Sequence, residues 1–248
     1  MTPLRRRMIR TVQPFTAARA AEWLSERVIF FHIPKTAGST VNAHFKGLLG
    51  SSWQGQALTV SDRSTPEDIA IARRARFVGG HYGTALLSAL GPGLRITVLR
   101  DPLERLVSAW RFQQTLKAPL PFETLEDALA ADHPEVRRVL DNVQSRHLAS
   151  PRLDAPPPRE EWLERAQATL SGIDVILWQW QFDDAFRRLL SNLDLPAPAQ
   201  VGRANVTGAI GRRPPPKVSV DQALKERAAP YIALDQALLA KVAGKADL

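Results

Sequence analysis

Lys35 stands in a run of small and hydroxyl-bearing residues, Pro34-Lys35-Thr36-Ala37-Gly38-Ser39-Thr40, directly after the apolar stretch Val28 to Ile33. Between a strand and a helix, such a run is a layout for holding a phosphate. Backbone N–H groups of the loop, the positive end of the following helix, a lysine and three hydroxyls can all point donors at one place. The order is not that of the nucleotide-triphosphate loop G-x-x-x-x-G-K-[ST], because Lys35 precedes Gly38 instead of following a glycine. That placement argues against an ordinary ATPase or kinase. The plainer alternative, in which Ser39 or Thr40 only caps a helix and Lys35 is solvated, is the less favoured of the two.

A second set is Arg100-Asp101-Pro102-Leu103-Glu104-Arg105-Leu106-Val107-Ser108, following the apolar stretch Leu94 to Leu99. Arg100 leaves a strand tip, and Ser108 lies about two helical turns further on. Arg105 and Ser108, three apart, are neighbours on a helix surface. A guanidinium fork and a hydroxyl at the same end of a sheet suit a second phosphate. A third set is Gly79-Gly80-His81-Tyr82-Gly83. An imidazole with an ordinary pKa of about 6.5 beside glycines that allow close approach is a candidate general base. For an isolated histidine, the simpler role is a turn residue bonded to a backbone carbonyl. His32, His44, His133 and His147 show no metal-binding spacing, so no metal site is expected.

The elements that must position these groups alternate in type. Val28 to Ile33 is expected as a buried central strand, followed by a helix from Ser39-Thr40 with Val41, Phe45, Leu48 and Leu49 as its apolar positions. Pro66 to Ala75 reads as a helix capped by Thr65, and Arg76 to His81 as a strand entering a glycine turn. Leu94 to Arg100 is the next strand, and Asp101-Pro102 caps a helix striped with Leu103, Leu106, Val107 and Trp110. Helices are expected over Phe122 to Ala131, Pro134 to Ala149 and Arg159 to Ser171. A strand over Ile173 to Trp178, a helix over Phe182 to Leu190 and two closing helical stretches complete the chain. This alternation implies an α/β fold of three layers, with a central, mostly parallel sheet flanked by helices on both faces. Ligands bind such sheets at the carboxyl ends of the strands.

The 248 residues carry 33 Lys+Arg against 25 Asp+Glu, a net charge of +8, and no cysteine. The absence of cysteine excludes disulfides, thiolate metal sites and a cysteine nucleophile. With 44% hydrophobic and 23% charged residues the chain is globular rather than disordered. No apolar run approaches a membrane span. Arg5-Arg6-Arg7 resembles the start of a signal peptide, but Arg10, Gln13 and Arg19 interrupt the segment after it, so a cytoplasmic, soluble protein is expected. Residues 1–27 read as a basic arm with a short helix around Thr16 to Ser25, and 28–248 as a single domain. The excess positive charge permits a nucleic-acid-binding module. It is dispersed, however, and no nucleic-acid motif accompanies it.

Together the first two sets carry a resemblance. Phe30 to Thr40 resembles the 5′-phosphosulfate loop of the Golgi-type carbohydrate sulfotransferases and their bacterial relatives, the group that includes heparan sulfate 2-O-sulfotransferase. Arg100-Asp101-Pro102 through Arg105 and Ser108 resembles the 3′-phosphate motif of that family. Asp141 to Leu148 is similar to its Asn-x-x-[ST]-Arg-x-Leu stretch, and Gly202 to Val206 and Ala233-Leu234-Asp235 resemble late segments.

The resemblance implies a P-loop-like fold and transfer of a sulfonate from 3′-phosphoadenosine 5′-phosphosulfate (PAPS) to an acceptor hydroxyl, without a metal. Lys35 would stabilise the departing phosphate, and Thr36, Ala37, Gly38, Ser39 and Thr40 would cradle the 5′-phosphate with Lys35. Arg100 and Ser108 would hold the 3′-phosphate, and His81 would be the base. A saccharide, a glycolipid or a small hydroxylated metabolite is the implied acceptor, and nucleic acid is not. Two departures, Trp110 in place of a tyrosine and Gln181 in place of a glutamate before Phe182-Asp183, bear on the acceptor. A nucleotide kinase or phosphotransferase, or a non-catalytic nucleotide- or nucleic-acid-binding protein, is the alternative. The basic segment Arg212 to Lys217 is a candidate cover for the nucleotide or a receiver of an anionic acceptor.

Overall fold

In the computed structural model, residues 27–48, 57–193, 195–197 and 214–245 are described. Residues 1–26, with the helix expected around Thr16 to Ser25, and Gly202 to Val206 and Arg212-Arg213 therefore lie outside the described residues. Pro214 to Lys217 has neither helix nor strand.

Among the described residues, five strands form one sheet: β1 (Val28–Phe31), β2 (Ala57–Thr59), β3 (Phe77–Gly80), β4 (Leu94–Leu99) and β5 (Val175–Trp178). Their order is β2-β3-β1-β4-β5, and every pairing is parallel. The expectation of a mostly parallel sheet is thus met in full. β1 lies at the centre between β3 and β4, with Val28 opposite both Phe77 and Leu94. The carboxyl ends of these three strands therefore emerge side by side, where an open α/β sheet binds its ligands.

Both faces of the sheet are apolar because buried parallel strands carry no polar side. On one face Ile29, Phe31, Val78, Leu99 and Ile176 meet Leu86 and Leu87 of α3 (Thr84–Ala89), and Ala166 and Leu170 of α8 (Trp162–Ser171). On the other, Val28, Phe30, Phe77, Ile96 and Leu177 meet Val41 and Phe45 of α1 (Gly38–Leu48). Phe182, Phe186 and Leu190 of α9 (Phe182–Asn192) complete that layer. A third cluster joins Leu106 and Trp110 of α4 (Pro102–Gln113), Leu125 of α5 (Leu125–Ala130) and Val136 of α6 (Pro134–Leu140). It closes on Leu224, Tyr231 and Ile232 of α10 (Gln222–Lys245). Trp110 is buried there, as a core residue.

Local chemistry fixes the helix starts. At α2 (Pro66–Ala72), Thr65 accepts from Asp68 N and the Asp68 carboxylate accepts from Thr65 N, a capping box with proline at the first helical position. Asp101 caps α4 by accepting from Glu104 N.

The helix expected over Pro134 to Ala149 is two helices, α6 and α7 (Val143–Ala149). Asn142 breaks it by taking a left-handed conformation, with φ 42° and ψ 48°. In place of continuing the helix, Asn142 inserts into α10. Its backbone N–H donates to Tyr231 O at 2.7 Å and its Nδ2 to Pro230 O at 3.2 Å. Its Oδ1 accepts from Leu234 N at 2.7 Å and Asp235 N at 3.1 Å. Those are the four groups that an ordinary helical turn joins to one another. Among the described residues the two closing helical stretches are one helix, α10, with Pro230 inside it. β2 and α3 have no counterpart among the elements expected from the sequence.

Candidate active site

Between β1 and α1 the chain makes a tight loop. Lys35 and Ala37 have φ of 68° and 79°, the left-handed region that side chains other than glycine rarely occupy. Strain of that kind collects at functional sites, where it aims groups that relaxed backbone would not. Thr36 turns inward, fully buried, and donates its hydroxyl to Ile33 O at 2.9 Å. The expected hydroxyl contact of Thr36 with a phosphate is therefore corrected: that side chain holds the loop, and only its backbone N–H is left for a ligand. Lys35 Nζ lies 4.2 Å from the ring centre of Phe112, a cation–π contact that steadies the ammonium over α4. Arg100 Nη1 donates to Lys35 O at 3.3 Å, tying the end of β4 to the same loop.

The third strand end brings a group of histidines. His81 Nδ1 lies 2.8 Å from His32 O. A carbonyl only accepts, so Nδ1 carries the hydrogen and the neutral ring leaves Nε2 with a free lone pair. Burial lowers the His81 pKa below its ordinary value, against the opposing effect of that backbone bond. The ring is therefore neutral at physiological pH. The backbone bond foreseen as the simpler role of a turn histidine is present, and it selects the tautomer a base requires.

His32 stacks on His81 with ring centres 4.1 Å apart, and on its other side against Phe30 at 5.3 Å. Burial first, and then the nearby His81, His147 and Lys35, lower its pKa to about 2. His147, fully enclosed, donates from Nε2 to Tyr82 O at 3.2 Å, and burial lowers its pKa to about 3. Gly38 is what lets His32 sit there. A Cβ on residue 38 would come within 1.9 Å of His32 Cδ2. Sequence reasoning missed His32 and His147 because neither has metal-like spacing, although His32 lies beside the loop that drew attention.

Arg105 departs from expectation. Its side chain is buried, with Nη2 donating to Leu140 O at 3.0 Å, and burial lowers its pKa to about 10 despite the nearby Asp235. Its guanidinium is bound into the seam between α4, α6 and α10, and the residue borders the same cavity as Ser108 from beneath the surface. Arg100 remains at the rim, with its Nη2 3.7 Å from Glu104 Oε2.

A cavity of about 1900 Å³ opens over these strand ends. Lys35, Ala37, Gly38, Ser39, Thr40, His81, Arg100 and Ser108 line it, so the structure brings together every expected site residue except Thr36. Trp180 and Gln181 after β5 border it too. It is roomier than the roughly 300–1,000 Å³ of a usual small-molecule pocket, which leaves space for two substrates. Among the described residues there is no group of three or more His, Cys, Asp or Glu that could hold a metal ion. No helix among them is long and apolar enough to cross a membrane.

A search of curated proteins finds no match to the chain. Residues 25–130, which carry β1 to α5 and with them Lys35, His81, Arg100 and Ser108, match the model of the Sulfotransferase family. Over those residues the chain is similar to the sulfotransferase family.

Proposed function

We propose that the protein transfers a sulfonate group from PAPS to an acceptor hydroxyl by in-line displacement, within one catalytic domain spanning residues 28–248. The observation that carries this reading is the shared cavity. It sets a lysine loop, a neutral histidine with Nε2 unprotonated, and an arginine with a serine at three adjacent strand ends.

The acceptor hydroxyl gives its proton to His81 Nε2 as its oxygen attacks sulfur. The new O–S bond forms while the bond from sulfur to the 5′-phosphate oxygen breaks, and the electron pair of that bond leaves on the phosphate. Lys35 faces the charge that grows there, so it stabilises the transition state more than the ground state. Backbone N–H groups from Thr36 to Thr40, with the hydroxyls of Ser39 and Thr40, hold the 5′-phosphate at the start of α1. Arg100 and Ser108 hold the 3′-phosphate, the group that separates this donor from ATP-type nucleotides. Adenosine 3′,5′-bisphosphate leaves as the second product. A hydroxyl on a saccharide, a glycolipid or a small metabolite fits the remaining space.

Calorimetric titration with adenosine 3′,5′-bisphosphate tests donor binding; a folded protein that ignores it at tens of micromolar overturns the reading. Transfer is then read as a mass gain on candidate hydroxyl acceptors incubated with PAPS. Lys35→Ala is expected to remove transfer from a folded protein. His81→Ala is expected to keep bisphosphate affinity and lose turnover by about 10²-fold or more. Unchanged turnover in the His81 variant removes it from the base role.

A further inference from the structure

Arg100 has its main chain held by a side chain from another element. Gln144, in the first turn of α7 and fully buried, accepts from Arg100 N through Oε1 at 2.9 Å and donates from Nε2 to Arg100 O at 2.9 Å. An amide that satisfies both backbone groups of one residue fixes its position and the direction in which its side chain departs. Gln144 is held in turn. Asp235 of α10 accepts from Gln144 N at 3.2 Å and from Ser145 N at 2.7 Å, one bond to each carboxylate oxygen. Asn142 fixes Asp235 by accepting from its N–H. Asp235, Gln144 and Asn142 are almost wholly buried, where a polar group without partners is costly and satisfied ones specify a single arrangement. Burial raises the Asp235 pKa, while Arg105 and these N–H groups act against the rise.

We infer that Gln144, seated by Asp235, is a positioning residue for Arg100 and so sets the preference of the site for a nucleotide bearing a 3′-phosphate. The inference rests on the proposed assignment of Arg100 to that phosphate. Arg100 reaches the rim from a strand tip where the sheet no longer guides the chain. Its guanidinium already divides between Lys35 O and Glu104. A fork that must meet a phosphate in a defined plane gains from a fixed backbone, because a misdirected arginine loses its paired bonds. A chain segment more than 90 residues away, α10, thereby takes part in donor selection.

The test compares two ligands that differ only at the 3′ position, adenosine 3′,5′-bisphosphate and AMP, titrated against the protein and its Gln144→Ala variant. The variant is expected to lose about tenfold of bisphosphate affinity while AMP affinity stays within about twofold, since only the 3′-phosphate contact passes through Arg100. General loosening of the fold would weaken both ligands together, and equal losses overturn the inference. So does an unchanged ratio. A wild-type protein that does not prefer the bisphosphate over AMP instead removes the donor assignment itself, a distinct result. Should Gln144→Ala fail to fold, Gln144→Glu keeps an oxygen for Arg100 N but sets a second carboxylate oxygen, in place of the donor, against Arg100 O. Its ratio is expected to fall between wild type and Arg100→Ala, and a ratio equal to wild type overturns the inference.

Discussion

At the scale of single residues, the site depends on what a histidine may touch. His81 has its tautomer set by the His32 carbonyl and its ring face covered by the His32 ring, and Gly38 leaves the room for that ring. Gly38→Ala places a methyl where His32 Cδ2 and Nε2 now lie, within 1.9 and 2.1 Å, so the ring must shift. The expected result is a stability loss of about 1–3 kcal/mol, the usual cost of overpacking. Transfer should fall at least tenfold as His81 loses its alignment, an order-of-magnitude figure for misplaced reacting groups. Denaturant unfolding and turnover read these two effects separately, and normal values of both would show that the histidine pair tolerates rearrangement. That Lys35, Arg100, Ser108 and His81 border one cavity could be anticipated from the sequence, because residue type and strand-end placement both show there. The partners of each could not. Thr36 and Ser39 look equivalent as letters, yet one hydroxyl is spent on Ile33 O and the other borders the cavity. Arg105 likewise reads as a surface cation, and only the packing of α4 against α6 and α10 shows that it is buried.

At the scale of elements, the starts of helices were legible and one break was not. Thr65-Pro66 and Asp101-Pro102 announce α2 and α4 through caps whose partners lie three residues away, so the information is local. The break at Asn142 is made by α10, about ninety residues on, and no pattern within Pro134 to Ala149 could reveal it. β2 escaped because three residues, with Thr59 exposed at the sheet edge, offer no period to detect. Asn142 gives an element-scale prediction. Alanine there would face the left-handed φ of 42° and leave Leu234 N, Asp235 N and Pro230 O without their side-chain partner. The expected loss is about 3–5 kcal/mol, large because several buried polar groups are orphaned together. Asn142→Gly relieves the backbone strain but not the lost bonds, so it should recover only about 1 kcal/mol of that. Equal stability of wild type and alanine variant would show that the insertion into α10 carries no weight.

For the whole molecule, strands alternating with helices were enough to indicate a parallel sheet, whereas the order β2-β3-β1-β4-β5 arises from pairings between segments far apart in the chain. That order crowds three histidines behind the ends of β1 and β3, and it has a consequence for stability against pH. His32 and His147 titrate near 2 and 3 in the folded protein, both because of burial, against about 6.5 in an unfolded chain. Below pH 6.5 the unfolded state therefore binds protons that the folded state refuses. Stability that is complete above that pH falls as the solution is acidified, with a limiting slope of about 1.4 kcal/mol per pH unit for each ring. Between pH 7.5 and 5 the two rings together should remove roughly 4 kcal/mol, mostly before the carboxylates of the chain begin to titrate. Urea unfolding measured at half-unit steps over that range reads the loss directly. His147→Phe, which keeps a ring against Phe31 but cannot take a proton, should cut the slope by about half whatever it does to absolute stability. A midpoint that does not move between pH 7.5 and 5, or a slope unaltered by His147→Phe, would mean that these rings accept protons without cost and that the strand ends are wetter than their packing indicates.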